Sequence, residues 1–278
     1  MLKRLILAGC LFGFADSANS PDKWDYLKVT FSFNVFSPWT FADLPRTEGE
    51  ADENGWTKIA DCDSNSKFQG ARYVRAADHS VILLFDLNGF IAGIQCGISE
   101  SHVSPVYPPL KQRGNIFQHD GDRYTLTAYF VDPTTICKYG RTEDEFNIYG
   151  TGTGLYIQNG SDPLTQSIRI PSTQSEISET KWTKGWCFLF MGDHYWYDLD
   201  KNMSCDDFQP VFLLYHGGWL TAFGWALGIG HNSMRFEHPS KTALSKFLDP
   251  VPQCLDNYPQ LSTMHIYMTS PYNEWCWW

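Results

Sequence analysis

The feature that most constrains this chain is that its second half repeats its first. Trp56-Thr57-Lys58, followed by Cys62, recurs as Trp182-Thr183-Lys184, followed by Cys187. Val81-Ile82-Leu83-Leu84-Phe85 recurs as Val211-Phe212-Leu213-Leu214-Tyr215, and Gly89-Phe90-Ile91 recurs as Gly218-Trp219-Leu220. Thr125-Leu126-Thr127-Ala128-Tyr129, with Pro133 and Cys137 behind it, matches Thr263-Met264-His265-Ile266-Tyr267, with Pro271 and Cys276. Four blocks in one order, offset by about 126 to 138 residues, define two diverged copies of one unit.

Within each copy the residues favour strands. Val81 to Phe85 is an apolar run rich in β-formers, broken by Asp86-Leu87-Asn88-Gly89, where Gly after Asn permits the positive φ of a tight hairpin. His216-Gly217-Gly218 makes the corresponding turn. Leu126, Ala128 and Phe130 alternate with Thr125, Thr127 and Tyr129, as Met264, Ile266 and Met268 do with Thr263, His265 and Tyr267, so each strand has an apolar face toward the core. Leu27 to Phe33 alternates as strictly and reads as a further strand, while only Ser240 to Leu248 looks helical. The expected fold class is all-β, antiparallel, with two pseudo-equivalent repeat units carrying disulfides and little helix, either as two sandwich-like lobes or as one structure sharing a core.

The N-terminus sets the compartment. Lys3 and Arg4 precede an apolar run from Leu5 to Phe14 and then small residues around Ala15, Ser17 and Ala18, the layout of a cleaved secretory signal. About ten apolar residues are too few for the ~20 that span a bilayer. The organisation is thus a signal peptide at 1–18, a first β-rich unit at 19–145, a loop-rich join at 146–180 and a second β-rich unit at 181–278. An extracellular destination implies oxidised cysteines. Of the eight cysteines, Cys10 leaves with the signal. Equivalent positions in the two copies pair Cys62 with Cys137 and Cys187 with Cys276; Cys205 and Cys254 are then expected to pair within the second copy, leaving Cys96 as a buried thiol opposite Trp225. Asn159-Gly160-Ser161 and Asn202-Met203-Ser204 are glycosylation acceptors.

The formal charge of −10 becomes about −11 to −12 without the signal, and the absence of basic clusters argues against nucleic acid as a partner. No membrane partner is expected. Aromatic residues reach 16%, more than a core of this size needs, which points to an aromatic-rich surface for a carbohydrate or small-molecule ligand. If the polar faces of the matched strands meet, Tyr129, Tyr267 and His265 line a pocket with the turn aromatics Phe90 and Trp219. The competing readings are a secreted enzyme using His265 or His216 as general base beside a carboxylate such as Asp86, and a structural secretion assembled through Cys96 or the terminal Trp275-Cys276-Trp277-Trp278. A solvated face on each sheet is the blander expectation for these strands.

Cofactor motifs are weak. Leu214-Tyr215-His216-Gly217-Gly218-Trp219 resembles the oxyanion-hole segment of α/β-hydrolase esterases, but the Gly-x-Ser-x-Gly elbow that fold requires is missing. Asp61-Cys62-Asp63-Ser64-Asn65 and Asp198-Leu199-Asp200-Lys201-Asn202 space their oxygens like calcium loops, yet Arg72 and Gln209 stand where an EF-hand needs Glu. No His-Glu-x-x-His or paired histidine spacing suits zinc. The expectation is no cofactor, with calcium at an acidic turn as the one exception.

Overall fold

The computed structural model describes residues 23–101, 109–110 and 115–276; the expected signal peptide, Trp277 and Trp278 lie outside the described residues. In chain order the elements are β1 (Lys28–Val29), β2 (Ala42–Asp43), α1 (Glu48–Glu53), β3 (Trp56–Ala60), β4 (Ala71–Arg75), β5 (Asp78–Phe85), β6 (Ile91–Ser99), β7 (Gln118–Asp120) and β8 (Arg123–Tyr129). After α2 (Pro133–Ile136) and α3 (Glu143–Tyr149) come β9 (Tyr156–Gln158), β10 (Ser167–Arg169), α4 (Gln174–Ile177), β11 (Trp182–Phe188), β12 (Gly192–Tyr197), β13 (Val211–His216), β14 (Trp219–Leu227) and β15 (Ser262–Tyr267).

The strands form two antiparallel sheets with one topology. The meander β3-β4-β5-β6-β8 of the first sheet has its counterpart in β11-β12-β13-β14-β15 of the second. A bulge interrupts β5–β6 between Leu84 and Phe85, and another interrupts β13–β14 at the matching Leu214 and Tyr215. Each meander begins at a helical turn capped by threonine: Thr47 accepts from Glu50 N and Thr173 from Glu176 N, satisfying an orphan helix donor in both. Thr47 then bridges to Phe90, and Thr173 to Trp219. The join at 146–180, expected to be loop-rich, therefore holds β9, β10 and α4.

The leading hairpins are exchanged. β1 and β2 precede the first meander, yet β1 pairs with β15, the last strand of the second. β9 and β10 precede the second meander, yet β9 pairs with β8 of the first. Each unit thus lends two strands to the other's sheet. The expected strand from Leu27 to Phe33 is confined to Lys28–Val29, because Thr30 turns to φ 73° and Thr30 N donates to His265 O at 3.1 Å.

Between the sheets lies one shared core. Val81, Leu83, Ile94, Leu126 and Phe130 of the first sheet pack with Leu213, Phe223, Trp225, Met264 and Ile266 of the second, and the Phe130 and Phe223 rings stand 6.3 Å apart. Cys96 is buried in this core, where desolvation pushes its thiol pKa up and keeps it protonated. The outer faces are also covered, which displaces the expectation of a solvated side. On the first sheet Leu84, Ala92 and Tyr129 pack with Val131 and Ile136. On the second, the 3₁₀ turns Lys241–Lys246 and Gln253–Asn257 lay Leu244, Leu255 and neighbouring Leu248 and Tyr258 over Phe212 and Leu214. The helix expected over Ser240 to Leu248 is this first 3₁₀ turn.

Cys62–Cys137 and Cys187–Cys276 are bonded. Cys205 and Cys254 are not: they stand as thiols that share a hydrogen bond, and burial raises both, so neither carries the thiolate that disulfide exchange requires. The two bonded pairs close sequence separations of 75 and 89 residues, and loops of that length are worth about 2–5 kcal/mol through the unfolded chain. A Cys62→Ser/Cys137→Ser chain is expected to lose stability in that range in a urea titration; a loss below about 1 kcal/mol would contradict it.

Candidate functional site

On the outer face of the second sheet a cavity of about 460 Å³ opens between the strands and the segments laid across them. β12 contributes His194 and Trp196, β13 Phe212, and β15 Thr263 and His265; Phe31, Phe33 and Trp39 come from the chain between β1 and β2, and Phe236 and Glu237 from the chain before the first 3₁₀ turn. Its size is within the range that encloses a small organic molecule.

One glycine lets the cavity's aromatic wall close against the sheet. Gly224 lies between Phe212 and His265 in the register of β13, β14 and β15. A Cβ there would fall 2.1 Å from the Phe212 ring, so only glycine lets the Phe212 and His265 rings approach to 4.9 Å. The first sheet fills the equivalent place. There Gln95 stands between Ile82 and Thr127, donates to Thr127 Oγ1 at 2.9 Å, and accepts from Arg72 Nε at 3.0 Å. Arg72 reaches on to Asp120 of β7 at 2.5 Å. In the second sheet His194 occupies the Arg72 position and Gly224 the Gln95 position, and the chain of polar side chains is gone.

The polar floor centres on Glu237, which bridges Thr263 through its backbone. Its carboxylate accepts from Phe31 N at 2.5 Å, Thr263 Oγ1 at 2.9 Å and His265 Nδ1 at 3.0 Å. A carboxylate only accepts, so the proton of this last bond resides on Nδ1. His265 Nε2 is then buried with no hydrogen-bond partner among the described residues, a state costly enough to need an explanation. His194 is neutral: burial, and next the adjacent His265, depress its pKa to about 3, and its Nδ1 faces Trp186 O at 3.1 Å.

The residues singled out in the sequence are dispersed. His265 belongs to the cavity. Tyr267 lies beside it on the same face, its ring 6.0 Å away and its hydroxyl buried with no hydrogen-bond partner among the described residues. Tyr129 occupies the outer face of the first sheet, where its hydroxyl donates to Gln158 Oε1 at 2.8 Å and accepts from Gln69 N at 3.2 Å. These matched faces point away from each other because the apolar faces meet instead. Phe90 stacks on Phe146 at 4.7 Å, and Trp219 bridges Thr173, so neither turn aromatic reaches the cavity. His216 faces Glu274, with Nδ1 and Oε2 3.7 Å apart.

Asp86 is structural. It accepts from Asn88 N, Phe90 N and Arg141 N at 3.0–3.1 Å and pairs with the Arg141 guanidinium at 3.3 Å, while burial raises its pKa against these donors. The carboxylate that meets a histidine in the cavity is therefore Glu237, not Asp86. Asp63 and Asp200 each cap a turn, accepting from Asn65 N and Asn202 N, and among the described residues no three His, Cys, Asp or Glu side chains gather in a metal-binding group. Asn202 is exposed, whereas Asn159 is half-buried and accepts from Asn115 at 2.8 Å.

Comparison with protein-family models, curated proteins and solved structures found no match to this chain.

The buried His194 generates a pH dependence. Its folded pKa lies below the ordinary value of 6.5, so below that pH the unfolded chain binds a proton that the folded chain does not. Stability supplied by this group is complete above pH 6.5 and declines as pH falls toward 3, by at most about 4 to 5 kcal/mol. Urea midpoints measured from pH 7 to pH 4 are expected to fall, and a His194→Gln chain to show a shallower decline; equal slopes would remove the assignment.

Proposed function

We propose that this is a secreted binding protein that holds a small organic ligand in the cavity of its second sheet. The observation that carries the reading is an aromatic-walled enclosure of about 460 Å³ with a buried, unpartnered imidazole nitrogen at its floor. Apolar walls with a few convergent polar groups are the usual composition of a ligand site. The signal-like N-terminus, the two disulfides and the exposed sequon at Asn202 support an extracellular glycoprotein. Among the described residues no helix is long and apolar enough to cross a membrane.

A second reading has one specific observation behind it. Glu237 orients His265 through Nδ1 and leaves Nε2 available, the arrangement of a general base with its orienting carboxylate. No hydroxyl or thiol of the described residues hydrogen-bonds Nε2, so there is no bonded nucleophile for it to activate, and binding remains the favoured function.

Trp39 and Trp196 line the cavity, so occupancy is expected to change tryptophan emission. Titration with the neutral reporter N-phenyl-1-naphthylamine should saturate at one molecule per chain, with the reporter recovered unchanged. Ser37→Trp, which places an indole in the cavity wall, should weaken uptake at least tenfold. Absence of saturable binding would refute the proposal, and chemical conversion of bound molecules would favour catalysis.

A further inference from the structure

We infer that the ligand of this cavity is an organic ammonium ion, a small amine with an aromatic or apolar body, held through its charge by Glu237 and through an N–H by His265. The inference rests on the reading that the cavity binds a ligand at all.

The polar inventory of the cavity is one-sided. Its lining contains the Glu237 carboxylate and no lysine or arginine. Arg235, two residues away, has its guanidinium over the Trp56 ring at 5.8 Å and 4.0 Å from Asp78. On the floor the donors beside Glu237 are already used: Phe31 N and Thr263 Oγ1 on Glu237, and His194 on Trp186 O. What remains at this point of the floor is acceptor capacity. An ionised carboxylate offers about four acceptor positions; Glu237 has three donors, and with Nδ1 turned to Glu237 the His265 ring adds the unpartnered Nε2.

A ligand that completes this set brings donors and positive charge. An ammonium group supplies up to three donors and no acceptor. A carboxylate or phosphate would meet the Glu237 carboxylate with no lysine or arginine in the lining to offset it, and an alcohol donates only once. The walls favour the same choice. Phe212 and Phe31 line the cavity beside His265, 4.9 and 6.0 Å from its ring, and aromatic faces attract a cation. Desolvation inside the enclosure strengthens both contributions.

The test is displacement of N-phenyl-1-naphthylamine at pH 7.5 by three compounds of one shape and different charge: 2-phenylethylamine, 2-phenylethanol and phenylacetate. The amine is expected to displace the reporter at a concentration at least tenfold below the alcohol, with the acid weakest. In Glu237→Gln the amine should fall to within about threefold of the alcohol, both read against the variant's own affinity for the reporter. If Glu237→Gln does not take up the reporter, the comparison in the unaltered protein decides. Equal displacement by amine and alcohol, or stronger displacement by the acid, overturns the ammonium assignment and leaves the binding reading standing. Failure of the reporter to bind the unaltered protein overturns both.

Discussion

The fold depends on two strand pairings that cross between its halves. β15 is completed by β1 and β8 by β9, so the last strand of each meander is protected by a hairpin from the other unit. Without them the C-terminal ends of both strands would be unpaired edges, a liability for any antiparallel sheet. The same exchange fixes how the sheets face. The apolar sides of β5, β6 and β8 must meet those of β13, β14 and β15, and the polar sides, with Tyr129 on one and His265 on the other, are sent outward in opposite directions.

That outward face is where the two units part company. They share a topology, a bulge position, a threonine-capped entry and a disulfide. They differ at a handful of side chains on one surface. Arg72, Gln95 and Thr127 knit the first sheet into a closed polar ladder tied to Asp120. His194, Gly224 and His265 at the matching places cannot make that ladder, and the vacated volume is roofed by aromatic side chains instead. One sheet is finished as structure and the other is left hollow.

Much of the architecture was legible in the sequence. Periodicity located the central strands, since a residue buried between sheets must be apolar at every second position, and the equivalence of the copies selected the disulfide partners before any geometry was known. Of the short strands only β1 was marked, inside the longer alternation of Leu27 to Phe33. β2, β9 and β10 hold two or three residues each, too few for a period to declare itself, and the exchange the leading strands make depends on partners distant in the chain. A signal for the second pair did exist: Leu44-Pro45-Arg46-Thr47 and Ile170-Pro171-Ser172-Thr173, each with Glu three residues after the threonine, extend the correspondence upstream of the tryptophans. Of the cavity, His265 stood out by its contrast with Thr127. Glu237 did not, because nothing local marks a carboxylate delivered from a connecting segment. Nor did Gly224, whose importance is the side chain it lacks.

The strap from Phe31 to Phe41 belongs to the first unit by sequence but walls the cavity of the second, anchored where Thr30 N meets His265 O and Phe31 N meets Glu237. Its β1 neighbour has to wait for β15, encoded about 240 residues later. At ribosomal speeds of 5–20 residues per second that is roughly 12 to 50 s, during which the emerging N-terminal segment has no sheet to join. The pocket is consequently completed only once β15 is in place, and a chain released short of it lacks His265 and the strand that β1 pairs with.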